Sequence, residues 1–186
     1  MTSSMDKRAS SHAWWALALL TATYTFSFVD RQIVNLLVDP IRTDLELSDS
    51  QVSFLQGLAF ALPYVLLSIP VGRIVDRANR IRVLIIGILI WTISCMMCGT
   101  ANSFWQLGIA RMGIGGGEAS VTPASWSLLA DYFPPEQRAL PISIFLMGPY
   151  LGAGLSLLLG AEVISWASGL GQIELPIVGV IAPWQL

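Results

Sequence analysis

The apolar residues of this chain fall in blocks near twenty residues long, joined by connections of only a few residues. A helix rising about 1.5 Å per residue needs that length to cross the roughly 30 Å hydrocarbon core of a bilayer. Only 12% of the residues are charged and 54% are hydrophobic, whereas an ordinary soluble domain carries roughly 25% charged residues. Too few charges remain to cover a surface facing water, so lipid is the expected solvent.

About five crossings are legible. The first runs over 13–37, after a polar tail (1–12) holding Lys7 and Arg8, and opens on Trp14 and Trp15, a pair suited to the headgroup level. It outlasts the roughly 7 to 15 apolar residues of a secretory signal. Ser48 and Gln51 have the spacing of a capping box. The second block follows over 52–71, with Pro63 and Pro70 expected to kink it. The third spans 81–99, the fourth 103–129 and the fifth 138–159, the last preceded by Pro134 and Pro135, which suit a first helical turn. Residues 13–164 thus form a transmembrane region. The Gly- and Pro-rich stretch 165–186 reads as an extracytoplasmic loop approaching a sixth helix.

Basic residues set the expected orientation. Lys7, Arg8, Arg73, Arg77, Arg80, Arg82 and Arg138 flank one set of helix ends and Arg42 the other, which puts the N-terminus in the cytoplasm by the positive-inside rule. The expectation is a multi-pass protein of the plasma (inner) membrane. A net charge of -2 argues against a nucleic-acid partner, because phosphate binding needs clustered basic surface. Cys95 and Cys98 lie inside an apolar block and read as small buried thiols rather than a metal or redox pair. The single histidine, His12, sits in the tail, leaving no Ser/His or metal-ligand set at depth. Neither an enzyme, a cofactor nor a metal site is expected.

Asp30, Arg31, Arg111 and Glu118 lie inside apolar blocks, where a charge costs about 2.5–3.5 kcal/mol at a helix centre. Such groups face a cavity or a partner. Asp30 lies nine residues before Asp39 and Arg111 nine after Asn102, so both sit roughly 13 Å inward from the outer boundary. A pair between the first and fourth helices is therefore geometrically possible. Arg111 and Glu118, seven residues apart, share a face at roughly 10 Å axial separation, too far for easy contact but compatible with one polar track. Either intramembrane arginine would attract an anion unless tied up structurally. The competing reading is a static pair, or snorkelling side chains, that only fix helix packing.

Glycines crowd the same region. Gly113, Gly115, Gly116 and Gly117 would each cost a soluble helix about 1 kcal/mol relative to Ala, but a membrane helix uses glycine for close backbone approach. Gly113 with Gly117, and Gly148 with Gly152, are small-xxx-small pairs, so packing is their expected role.

The string GRIVDRANRIR, residues 72–82, resembles the loop signature between the second and third helices of the major facilitator superfamily. Gly72, Asp76, Arg77, Arg80 and Arg82 stand at matching positions. Asn79 replaces the family's usual glycine, and Asn also tolerates left-handed backbone. Arg111, Gly115 and Gly117 look like the family's fourth-helix motif, with Glu118 in place of a small residue. Gly148, Pro149 and Gly152 partly resemble its fifth-helix antiporter motif, from which Ile144 and Ala153 depart. The set Asp30, Arg31, Arg111 and Glu118 is similar to the spinster-like branch, and organic-anion symporters share parts of it.

The resemblance implies an all-α chain forming part of the N-terminal six-helix half of a twelve-helix transporter, with substrate held between the halves. It implies a secondary active, proton-coupled carrier of a small organic solute, an organic anion or a lysolipid, with symport and antiport both open. Asp30 would take the coupling proton, while Arg111 and Glu118 would influence the site and its opening. Residues 72–82 would contribute to a cytoplasmic gate whose partners lie in the C-terminal half. On this reading the chain is an incomplete fragment or a truncated reading frame. The alternative is a truncated, non-transporting membrane subunit or regulator that packs through its glycine-lined helices.

Overall fold

Proline and glycine positions divide the long apolar blocks into shorter helices. The structure, a computed structural model, describes residues 10–170, 173–175, 179–182 and 184. Among these, five helical columns pack together. The first is α1 (Ser11–Leu36) with α2 (Val38–Asp44), and the second α3 (Asp49–Gln56) with α4 (Leu58–Arg77). The third is α5 (Arg80–Cys98), and the fourth α6 (Phe104–Glu118) with α7 (Val121–Tyr132). A 3-10 turn, Pro135–Gln137, leads into the fifth, α8 (Ala139–Leu146) with α9 (Gly148–Leu170).

Three of the interruptions precede a proline closely: Leu37 before Pro40, Ala119–Ser120 before Pro123, and Met147 before Pro149. A proline lacks the N–H of the helical ladder, and its ring presses on the carbonyl four residues back. The second column departs from expectation. Helix α4 runs through Pro63 and Pro70, and the interruption falls instead at Gly57, with φ -104 and ψ -85.

Helix starts follow side-chain chemistry. Ser10 Oγ accepts from Ala13 N at 3.3 Å to cap α1. The capping box that Ser48 and Gln51 predict is formed, Ser48 N donating to Gln51 Oε1 at 2.9 Å and Gln51 N to Ser48 Oγ at 3.4 Å. Asn79 corrects its sequence reading. Its backbone is extended, not left-handed, and its side chain accepts from Arg82 N at 3.1 Å, so it caps α5.

The boundaries shift accordingly. The second column begins at Asp49 and reaches Arg77, beyond the 52–71 expected, and α9 continues to Leu170, so that 165–170 are helical rather than loop. Further on, Ile173–Leu175 pairs antiparallel with Gly179–Ile181. Residues 1–9 of the tail, and 171–172, 176–178, 183 and 185–186 of the expected approach to a sixth helix, lie outside the described residues.

Packing inverts the soluble pattern: backbones meet at glycines, and large apolar side chains face outward. Helix α1 packs along α9, and α6 along both α4 and α5. A Cβ at Gly152 would stand 2.4 Å from Thr25 O, at Gly117 2.6 Å from Gly87 O, and at Gly115 2.3 Å from Phe60 O. Outward on α5 stand Ile85, Ile86, Leu89, Ile90 and Ile93, all exposed. Apolar surface of this extent calls for lipid against it. Three stretches, Asp49–Arg77, Arg80–Cys98 and Ala139–Gly160, are long and apolar enough to cross a membrane by length and composition. The first and fourth columns, which carry the intramembrane charges, fall below that standard.

Two buried apolar clusters bracket those charges. One, with Leu17, Leu20, Val75, Leu84, Leu128 and Phe133, lies toward the arginine-rich ends of the columns. The other, with Ile41, Leu47, Leu55 and Leu107, lies toward the opposite ends.

Candidate functional site

Neighbouring residues on a helix diverge by about 100°, so Asp30 and Arg31 serve different partners. Asp30 Oδ2 accepts from Trp91 Nε1 at 2.6 Å and from Cys95 Sγ at 3.2 Å. Both donors belong to α5 and, four residues apart, share one face. Arg31 turns to α6, where its Nε and Nη2 donate to Glu118 Oε2 at 2.9 and 2.5 Å. Its guanidinium carbon also stands 4.6, 4.5 and 5.0 Å from the ring centroids of Phe28, Phe60 and Tyr64. Ion pair and aromatic faces together hold this cation in place. Glu118 is 1% exposed, and its Oε1 is buried without a hydrogen-bond partner.

Arg111 is bound differently. It is 2% exposed, and its Nε and Nη1 are buried with no hydrogen-bond partner. The Asp30–Arg111 pair that matched depths made possible is not formed, and among the described residues no carboxylate ion-pairs with Arg111. The physical reason is competition. Helix α5 presents two neutral donors at the depth of Asp30, and they reach the carboxylate where Arg111 does not.

A cavity of about 240 Å³ opens beside these groups, lined by Phe28, Arg31, Gln32, Asn35, Gln56, Phe60 and Arg111. Its amides are linked, Asn35 Nδ2 donating to Gln32 Oε1 at 2.9 Å and Gln56 Nε2 to Asn35 Oδ1 at 3.2 Å. The two arginines thus share one cavity, while Asp30 and Glu118 bind behind its wall. A buried guanidinium with unpartnered donors at the wall of a cavity has the chemistry to receive an anion, since an unsatisfied charged donor is costly until an acceptor fills it. Sequence reasoning passed over Gln32, Asn35 and Gln56. The signal was present in α1, where Phe28, Arg31, Gln32 and Asn35 recur at helical spacing on one face. It also passed over Trp91, whose indole N–H needs an acceptor at depth.

At the arginine-rich end, Arg80 pairs with Asp131 near the end of α7, a carboxylate the sequence reading did not single out. Arg138 donates from Nε to Phe133 O at 2.8 Å and from Nη2 to Ala130 O at 2.6 Å, satisfying carbonyls at the end of α7. Elsewhere in the 72–82 string Asp76, Arg77 and Arg82 are exposed, and a Cβ at Gly72 would meet nothing within 4 Å.

Known proteins share both sequence and architecture with this chain. An MFS-type efflux pump of Mycolicibacterium smegmatis is 32% identical over 168 residues, covering 89% of this chain and 39% of that protein. A probable L-galactonate transporter of Escherichia coli is 28% identical over 141 residues, 76% of this chain and 31% of that protein. A crystal structure of a bacterial homologue of the human lysosomal transporter spinster, inward-facing and unoccupied, superposes with a TM-score of 0.82 at 33% identity, over 96% of this chain and 40% of that one. The chain therefore spans about a third to two-fifths of the length of these relatives. Residues 20–184 match the Major Facilitator Superfamily, and on that match the chain belongs to this family of membrane proteins.

Proposed function

We propose that the protein acts as a secondary active carrier that couples proton movement to transport of a small organic anion. One observation carries the reading: Arg111, with two buried and unpartnered donors, lines an open cavity. A carboxylate there would supply an acceptor that the guanidinium lacks. Arg31 plays the other part, engaged by Glu118 and three aromatic rings, and keeps the cavity positive without offering the same unpartnered donors. The amides of Gln32, Asn35 and Gln56 suit a hydroxylated acid better than an acyl chain. Similarity to a probable L-galactonate transporter of E. coli supports that preference.

In this reading Asp30 carries the coupling proton. Neutralising it changes the charge in the layer between the two apolar clusters and biases an equilibrium between outward- and inward-open states. The basic ends of the columns face the cytoplasm of the plasma (inner) membrane. Residues 72–82 close the cytoplasmic side together with Arg80–Asp131. Because the matched segment is a minority of each relative's length, transport is assigned to the complete gene product, with substrate held against a second half.

The test is proton flux into liposomes containing the complete gene product, measured with sugar acids, other organic anions and lysolipids, alongside Asp30→Asn. Flux coupled to an acid and lost in the variant is expected. Coupling to lysolipid alone would reject the anion assignment, coupled flux surviving Asp30→Asn would reject the proton site, and silence of the complete product would favour a non-transporting subunit.

A further inference from the structure

Asp30 has a nearby cation and does not use it. Arg111 lies within electrostatic range of the carboxylate, yet the hydrogen bonds to Asp30 come from two uncharged donors on α5. Trp91 is 7% exposed, and its Nε1 has its acceptor in Asp30 Oδ2 at 2.6 Å. Cys95 is a free thiol directed at the same oxygen from 3.2 Å. Helix α5 is held in this register by close backbone approach to α6. A Cβ at Gly87 would stand 2.7 Å from Gly117 O, and one at Gly117 2.6 Å from Trp91 N. Gly117, which lets α5 approach α6, thus lies directly against the backbone of Trp91.

We infer that Trp91 and Cys95 are positioning residues that hold the Asp30 carboxylate toward α5 and off Arg111, leaving the guanidinium unpaired beside the cavity. The inference rests on the reading of Arg111 as the anion site. Its logic is competition for one acceptor. With both α5 donors in place, Asp30 is satisfied, and Arg111 keeps its Nε and Nη1 for a ligand. With the donors removed, a buried carboxylate and a buried guanidinium at like depth become each other's best partner. The anion site then closes from within, with no residue of the cavity wall altered. Two donors on one oxygen also give a tryptophan and a cysteine four residues apart on α5 a shared purpose. A purely structural role would be indifferent to what Arg111 can reach.

Phenylglyoxal, an uncharged arginine reagent, tests this without a known substrate. Its reaction at Arg111 is followed by mass spectrometry in the reconstituted complete gene product. Wild type and Cys95→Ser, which keeps a hydroxyl donor, are expected to react at similar rates. Trp91→Phe combined with Cys95→Ala is expected to slow modification at least about tenfold, the factor one hydrogen bond to a charged group is worth. Adding Asp30→Asn to that pair is expected to restore the rate, a reversal that misfolding cannot mimic. An unreactive wild-type Arg111 would count against the anion site itself. A reactive wild type with an equally reactive double variant, or a slowed one that Asp30→Asn fails to restore, would overturn the positioning role alone.

Discussion

Two arginines, Arg31 on α1 and Arg111 on α6, take opposite parts in the fold. Arg31 spends its donors on Glu118 and its flat faces on Phe28, Phe60 and Tyr64, whereas Arg111 reaches the same cavity with Nε and Nη1 unpartnered. Lysine keeps the charge of either residue but neither the fork nor the planar faces. Arg111→Lys is therefore expected to raise KM for the transported acid about tenfold, the loss of a charge-assisted hydrogen bond, with a smaller change in kcat. Arg31→Lys should act on stability instead, lowering Tm in detergent because Glu118, 0% exposed at its side chain, loses its two-donor partner. Flux kinetics and a melting curve on the two variants separate these roles. The difference between the arginines was not visible in sequence. Each sits at depth in an apolar block, and only the partners that neighbouring helices supply distinguish a satisfied cation from an open one.

At the scale of helices, adjacent glycines are not equivalent. A Cβ at Gly115 would meet the Phe60 carbonyl oxygen at 2.3 Å, and backbone cannot retreat without separating α6 from α4. One at Gly116 would meet Leu67 Cδ1 at 3.1 Å, the end of a flexible side chain. Gly115→Ala is expected to destabilise by about 1–3 kcal/mol, as overpacking does. Gly116→Ala should leave Tm near wild type, since the lost clearance is recovered by a rotamer change and glycine's entropic cost is relieved. Thermal unfolding of both variants in one detergent checks the contrast. The glycine cluster was legible as close packing, while which glycine touches what depended on the rotation of α6 about its own axis. Helix breaks divided similarly. Those near Pro40, Pro123 and Pro149 follow from chemistry local to each proline, but Pro63 and Pro70 remain inside α4, and the break moves to Gly57.

Across the whole molecule, polarity is layered: an apolar cluster, a charged layer, a second apolar cluster, and an outer belt of large aliphatic side chains. The belt is the surface that lipid must cover. Leu89, 55% exposed near the middle of α5, belongs to it. Leu89→Arg is expected to reduce insertion of this helix by about 2.5–3.5 kcal/mol, the cost of an unpartnered arginine at a helix centre. A glycosylation-mapping assay on the variant reads that loss, and insertion equal to wild type would place this face against protein or water instead. Arg31 escapes the same cost because the fold gives it a carboxylate partner in Glu118.

Sequence alone pointed to lipid as the solvent, to an all-helical membrane fold, to the capping box at Ser48 and to the family, because bilayer thickness, backbone hydrogen bonding and a short loop signature are written in consecutive residues. Tertiary structure decided the pairings within the charged layer. Depth along a helix follows from counting at about 1.5 Å per residue, and that count placed Asp30 and Arg111 level with one another. Whether they meet depends on azimuth and on what a third helix offers between them. Here α5, drawn against α6 at Gly87 and Gly117, presents Trp91 and Cys95 to the carboxylate first.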